Sequence, residues 1–181
     1  MEEFGSTVPF AEPAWYNTLK SPYYKESHRR LRRFVRDYVD TYLAPHAEEW
    51  EGAGKVPDEA FRRHAELGFV AASIFPMAAE YLEPRPATTT SAAFEAQSLP
   101  AGILPSEWDL FHDMIVVDEL SRVGYIGVLW SLTGGNAIGV PPIINFGTRE
   151  QKEQLIPPVL RGHVRGCLGI TEPDGKPGAG Y

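Results

Sequence analysis

An all-α fold, bundle-like, with about five main helices and long loops between them, is predicted by three features of the sequence. Apolar residues recur at Leu31, Phe34, Val35, Tyr38, Val39, Tyr42 and Leu43, the spacing of one buried helical face. Thr148 and Gln151 form a capping box ahead of a second apolar series, Leu155, Ile156, Val159 and Leu160. The 16 prolines and 17 glycines gather at the edges of the periodic stretches, so helices alternate with punctuated loops.

Taken in order, residues 1–21 hold no sustained period, and Pro9 and Pro13 break what there is, so an extended arm is expected. Ser21-Pro22 offers an N-cap and a first-turn proline for the first helix, which Pro45 should kink or interrupt. A shorter helix begins near Pro57-Asp58, buries Phe61 and Ala65, and stops at Gly68; the apolar run from Phe69 to Phe75 should be buried. The stretch 76–105, with its prolines and its Thr-Thr-Thr-Ser tract, is expected to be a long surface loop. Ser106 and Asp109 start a third helix with Phe111, Met114, Ile115, Val117 and Leu120 inward, and Glu119 on its surface. Residues 125–139 are apolar or small nearly all round, the mark of an interior helix, and the glycines there permit close approach of a neighbour. The capped fifth helix closes at Gly162. Residues 22–173 therefore form the helical domain, and 174–181 an irregular tail.

Composition narrows the possibilities. A chain of 181 residues, 43% hydrophobic and 12% aromatic, is long enough for one domain with a core. A net charge of −7 argues against general nucleic-acid binding, which needs a cationic surface. One cysteine makes no internal disulfide, and no uncharged apolar run is long enough to span a bilayer. The start of the chain resembles neither a signal peptide nor a basic presequence, so a cytoplasmic location is expected.

The most informative stretch is Gly166-Cys167-Leu168-Gly169-Ile170-Thr171-Glu172-Pro173, an apolar run ending at a polar corner. It reads as a buried strand or extended segment that stops in a turn. Such a segment can lay Leu168 and Ile170 against a flat heterocycle while backbone N–H groups and the Thr171 hydroxyl meet its polar edge. From these residues alone a simple turn is the plainer reading. Two further groupings invite chemistry and have plainer explanations. Arg29, Arg32, Arg33 and Arg36 share a helical face, which reads as solvated, and Cys167 reads as a small buried hydrophobe. Asp109 and His112 make one Asp-x-x-His step without a second such motif, so no metal is expected.

The run Leu168-Gly169-Ile170-Thr171-Glu172-Pro173, preceded by the ordered stretch Pro141 to Lys152, resembles the first signature of the flavin-dependent acyl-CoA dehydrogenases. The resemblance covers most of the chain from Pro22 to Pro173 and is weakest between Pro76 and Pro105. In that family a Gly-Ser-Asp follows the corner, where this chain has Lys176-Pro177. The resemblance implies FAD as cofactor, with Leu168, Ile170 and Thr171 as cofactor-binding residues. It implies α,β-dehydrogenation of an acyl-CoA thioester, electrons leaving through a redox acceptor, and a homo-oligomer in the full-length form. It places Leu129, Leu132, Thr133 and Gly134 on the element that lines the acyl pocket, although helix packing alone also explains them. The catalytic base of the family lies in a C-terminal domain, so no catalytic residue is expected in this chain. The alternative is a non-catalytic helical interaction module.

Overall fold

The computed structural model describes residues 4–75, 77–82 and 99–171, and every regular element among them is helical. Its centre is α2, Glu26–Tyr38, which runs on through a π-helical turn at Val39–Leu43. The predicted stripe faces inward, with Leu31, Val35, Tyr38, Val39 and Leu43 buried, while Tyr42 falls outside it at 45% exposed. The π turn adds a residue and rotates the register just before Pro45, where the α-helical ladder breaks. The helix starts at Glu26, later than Ser21-Pro22 suggests. Ser21 instead accepts the Tyr23 N–H in a local turn, and His28 Nδ1 accepts the free Lys25 N–H at the true start.

Next come α3 (Ala47–Ala53), α4 (Asp58–Glu66) and α5 (Phe69–Ser73). Gly54 and Gly68, at φ of 65° and 86°, supply the left-handed residues between them. Phe69, Val70, Ala71 and Ile74 are buried, but Phe75 stands 73% exposed. Of the expected 76–105 loop, the flanks pack inward: Ala78, Leu82, Leu99 and Ile103 are buried, with a short 3₁₀ turn at Pro100–Gly102. The middle of that loop, Glu172-Pro173 and the 174–181 tail lie outside the described residues.

Helix α6 (Leu110–Ser121) packs along α2. Its N-cap is Asp109, whose carboxylate accepts the N–H groups of Phe111 and His112, so the cap lies three residues beyond Ser106. Then follow α7 (Ile126–Leu129), a π-helical turn at Trp130–Gly134 and α8 (Gly135–Gly139), the region expected to be one interior helix. One side of it is open: Ile126, Trp130 and Ile138 are 64%, 55% and 45% exposed. After α9 (Pro141–Phe146), Thr148 and Gln151 cap α10 (Arg149–Leu160) reciprocally, at 3.3 and 2.8 Å. Gly162, at φ 71°, ends it.

The N-terminal arm is not simply extended. Its short α1 (Ala14–Asn17) buries Tyr16, and Glu12 reaches Arg36 through two hydrogen bonds of 2.9 Å. Arg32 and Arg36 are 4% and 7% exposed, not solvated, and both bind Glu119, which is fully buried rather than on a helix surface. The arginines sit beside Leu31 and Val35, and Glu119 sits in phase with Ile115, Val116 and Leu120, so burying the apolar stripes buries the charges with them. Charges taken from water need such mutual pairing. Arg36 in turn holds the Glu12 carboxyl below its ordinary value by its hydrogen bond, against the opposing pull of burial.

Candidate functional site

Two features meet along the helical stretch 126–139. The first is the seat of the predicted motif. A Cβ on Gly135 would lie 2.3 Å from Gly166 O, and one on Gly139 would lie 2.9 Å from both Cys167 N and O. These glycines, four residues apart, thus form a bare groove in which the backbone of Gly166 and Cys167 lies. Asn136, buried between them, accepts the Gly166 N–H at 2.6 Å. The segment beyond has no regular secondary structure and pairs with no strand among the described residues. Leu168 and Ile170 are 51% and 77% exposed, and Thr171 and Cys167 are exposed too. The expectation of a buried strand and of a buried Cys167 is therefore corrected. The glycine groove anchors the segment only at its start, and two alternating apolar side chains with a hydroxyl at the end stand free.

The second feature is a cleft of about 680 Å³ between α5, α6 and the 126–139 stretch. Its wall is largely apolar, built by residues such as Phe69, Ile74, Val116, Leu120 and Leu129, with Trp108, Asp109 and Asp113 supplying polar groups. Of the four residues that the resemblance places at an acyl pocket, Leu129 and Thr133 line this cleft, while Leu132 points into the core at 1% exposed. Gly134 does not line it either. A Cβ there would lie 2.0 Å from Trp130 Cε3, so Gly134 is the shelf on which its own helix folds the Trp130 indole. The π turn at Trp130–Gly134 sets this register, and Thr133 Oγ1 donates back to Leu129 O at 2.9 Å.

Below Asp109, two helix starts lie side by side. His28 accepts Lys25 N–H at Nδ1 and meets Asp109 Oδ1 through Nε2 at 2.9 Å. His112 accepts Asp109 N–H at Nδ1 and meets Ser27 Oγ through Nε2 at 3.2 Å. The rings stack at 3.8 Å, both fully buried. His28, Asp109 and His112 have the donor set for a metal, but all four ring nitrogens already have hydrogen-bond partners, the two Nδ1 atoms at helix starts. Burial, followed by the neighbouring His28, lowers the His112 pKa, which favours the neutral ring that capping requires. Burial acts to raise the Asp109 pKa, yet hydrogen bonding from His28 and the field of His112 hold it down to about 2. Asp113 differs: burial raises its pKa, and the Trp108 N–H at 2.7 Å only partly offsets this.

Sequence reading missed Asp113 and Trp108. The available signal was a carboxylate in the first turn of a helix, just ahead of the apolar run Met114 to Val117, with a tryptophan just before the cap.

The described residues thus form an all-helical domain that presents a glycine-seated, open Leu-Gly-Ile-Thr segment and an apolar cleft along one helical stretch. Residues 25–81 and 96–163 match the family described as acyl-CoA dehydrogenase, N-terminal domain, and the chain belongs to that family. It is 47% identical over 171 residues to acyl-CoA dehydrogenase AFT10-1 of Alternaria alternata, covering 94% of this chain and 37% of that protein. The acyl-CoA dehydrogenase of Geobacillus kaustophilus superposes with a TM-score of 0.60 at 23% identity, over 86% of this chain and 34% of that one. An acyl-CoA dehydrogenase from Bacillus anthracis, solved in complex with FAD, gives 0.58 at 20% identity, over 84% of this chain and 22% of that one. The chain thus spans about a third of the length of the relatives it matches. No helix of the described residues is long and apolar enough to cross a membrane.

Proposed function

We propose that this domain is the N-terminal third of an FAD-dependent acyl-CoA dehydrogenase that introduces an α,β double bond into an acyl-CoA thioester. The observation that carries the proposal is the open segment Leu168 to Thr171, held at one end by Gly135, Gly139 and Asn136. Its chemistry fits the cofactor: exposed Leu168 and Ile170 give an apolar bearing surface, and Thr171 Oγ1 gives a hydrogen bond for a polar ring edge. When bound, FAD supplies the acceptor for the hydride removed from the substrate. The residues of this chain bind and orient. Leu129 and Thr133 contribute to the cleft that receives the acyl group, and its apolar wall excludes water from the reacting carbons. No carboxylate here is assigned as the base. Glu119 is locked among Arg32, Arg36 and Arg122, and Asp109 caps α6. The base that takes the α-proton, a redox partner for the electrons, and a homo-oligomeric assembly belong to the longer enzyme.

The test is anaerobic reduction of enzyme-bound flavin by acyl-CoA in the full-length protein that contains residues 1–181, with Thr171→Val beside it. Bleaching of the flavin on acyl-CoA addition is expected, together with weaker FAD binding and a shifted flavin spectrum in the variant. A full-length protein that takes up no FAD and bleaches with no acyl-CoA would favour the interaction-module alternative. Unchanged affinity and spectrum in Thr171→Val would remove that residue from the site. The 181-residue chain alone is expected to bind FAD weakly or not at all.

A further inference from the structure

The free hydrogen-bonding capacity of the cleft is of one kind. Its three hydroxyl groups are spent as donors on their own helices: Ser73 to Val70 O at 2.8 Å, Ser121 to Val117 O at 2.7 Å and Thr133 to Leu129 O at 2.9 Å. The Trp108 indole N–H is spent on Asp113 Oδ1 at 2.7 Å. Asp109 uses Oδ1 to cap α6 and to receive His28, while its Oδ2 faces Lys25 Nζ at 3.8 Å. What remains are acceptors, and among the carboxylate oxygens Asp113 Oδ2 is the one with neither a hydrogen bond from the described residues nor a cation facing it, as Lys25 faces Asp109 Oδ2. The carboxylate sits half-buried in an apolar wall, where burial already works against its charge. That oxygen is not sealed from solvent, so the cost falls on a ligand that displaces the solvent without supplying a donor in its place.

We propose that the cleft takes an acyl chain whose far end carries a hydrogen-bond donor, a hydroxyl or an ammonium group, and that Asp113 Oδ2 receives it. This rests on the reading of the cleft as the acyl-binding surface of a dehydrogenase. A methyl-ended chain would strip water from Asp113 and return nothing. A carboxyl-ended chain would bring like charge against it. Asp113 is thus a specificity-determining residue, and discrimination follows from what it lacks rather than from the apolar wall, which is indifferent to the end group. A hydrogen bond to a charged, half-exposed acceptor corresponds to about a 10-fold gain in affinity.

The test is calorimetric titration of the 181-residue chain with N-acetylcysteamine thioesters of equal length: octanoyl, ω-hydroxyoctanoyl, ω-aminooctanoyl and suberyl. Octanol and octanediol serve as thioester-free controls. Tighter binding of the hydroxyl- or amino-ended thioester than of the octanoyl thioester, by about 10-fold, is expected, and the comparison of the two donors says which is preferred. Asp113→Leu should abolish the preference. Asp113→Asn keeps an oxygen for the Trp108 N–H and turns the free position into a donor, so it should shift preference toward the suberyl thioester. Equal affinity for octanoyl and ω-hydroxyoctanoyl in the unmodified chain, or a preference that survives Asp113→Leu, overturns the proposal and leaves the dehydrogenase reading intact. A preference for octanediol over octanol with no thioester bound overturns instead the acyl reading of the cleft, and the acyl part of this proposal with it.

Discussion

Replacing Glu119 by Gln removes one negative charge without changing shape, and it does so where no water can compensate. Glu119 is fully buried and receives Arg36 Nε at 2.5 Å, Arg36 Nη2 at 2.9 Å and Arg32 Nη2 at 2.7 Å. The remaining anions are Glu12, bidentate to Arg36, and Asp118, 2.7 Å from Arg32 but 60% exposed. Two guanidinium groups would then share the interior with too little negative charge, and Arg32 Nε already has no partner. Breaking a buried pair from one side costs about 3–5 kcal/mol. At about 2–4 °C per kcal/mol for a domain of this size, thermal unfolding should fall by roughly 6–20 °C. Asp118→Asn is the internal control, since an exposed pair is worth about 0–1 kcal/mol. The assay is urea and thermal unfolding of both variants followed by circular dichroism, with Arg36→Met and the double variant completing a cycle. The two changes should be coupled by more than about 1 kcal/mol, because each alone strands the other's charge. A loss in Glu119→Gln no larger than in Asp118→Asn would refute the view of α2 and α6 as joined by a buried ionic clasp.

Three further outcomes are expected. Gly135→Ala and Gly139→Ala should each destabilise the chain by about 1–3 kcal/mol through overpacking. Helix propensity alone favours Ala by about 1 kcal/mol, so a gain in the urea midpoint would show that Gly166 and Cys167 do not lie in the groove. Stability should decline as pH falls below about 6.5. Burial lowers His64 from its ordinary 6.5 to about 3, so the folded ring stays neutral while the unfolded one takes a proton. That contribution is complete above pH 6.5 and is lost between 6.5 and 3, and Asp109 adds a second loss between 3.8 and 2. Urea midpoints across this range check it; His64→Phe should flatten the first phase, and a profile level from pH 7 to 5 would contradict it. Trp130 needs the bare Gly134 beside it, so Gly134→Ala should swing the indole away and shift tryptophan fluorescence, while unchanged emission would speak against the shelf.

What the sequence made legible is what its local spacing encodes. The Thr148–Gln151 cap, the stops at Gly68 and Gly162, and the stripe through Leu31 and Val35 each depend on neighbours within a turn or two, and each stands as expected. Glu119 and Arg36 lie 83 residues apart, and nothing within either helix announces the partner. One clue was present: Glu119 shares its helical phase with buried Ile115, Val116 and Leu120, and a charge in that phase must find a counter-charge inside. The same limit applies to the site. The Leu-Gly-Ile-Thr motif could be read directly, but its exposure could not, because strand-like alternation implies burial only where a second strand or layer arrives to cover it. Here Met114, Val117 and Leu110 on α6 likewise stand open, at 60%, 63% and 68%, where periodicity alone turned Met114 and Val117 inward.

The arm that carries Glu12 has a consequence for the order of events in folding. Helices α2 and α6 must meet before Arg36 is desolvated, and only then does the carboxylate 24 residues upstream find a binding site to enter. The arm is therefore expected to dock late, after the rate-limiting step. Cutting it away at Pro13 should leave the refolding rate nearly unchanged while the unfolding rate rises, so that the arm governs how long the native state lasts rather than how quickly it is reached. Stopped-flow chevrons of the two forms would show this as a shift confined to the unfolding limb, and equal movement of both limbs would mean that the arm is already in place at the barrier.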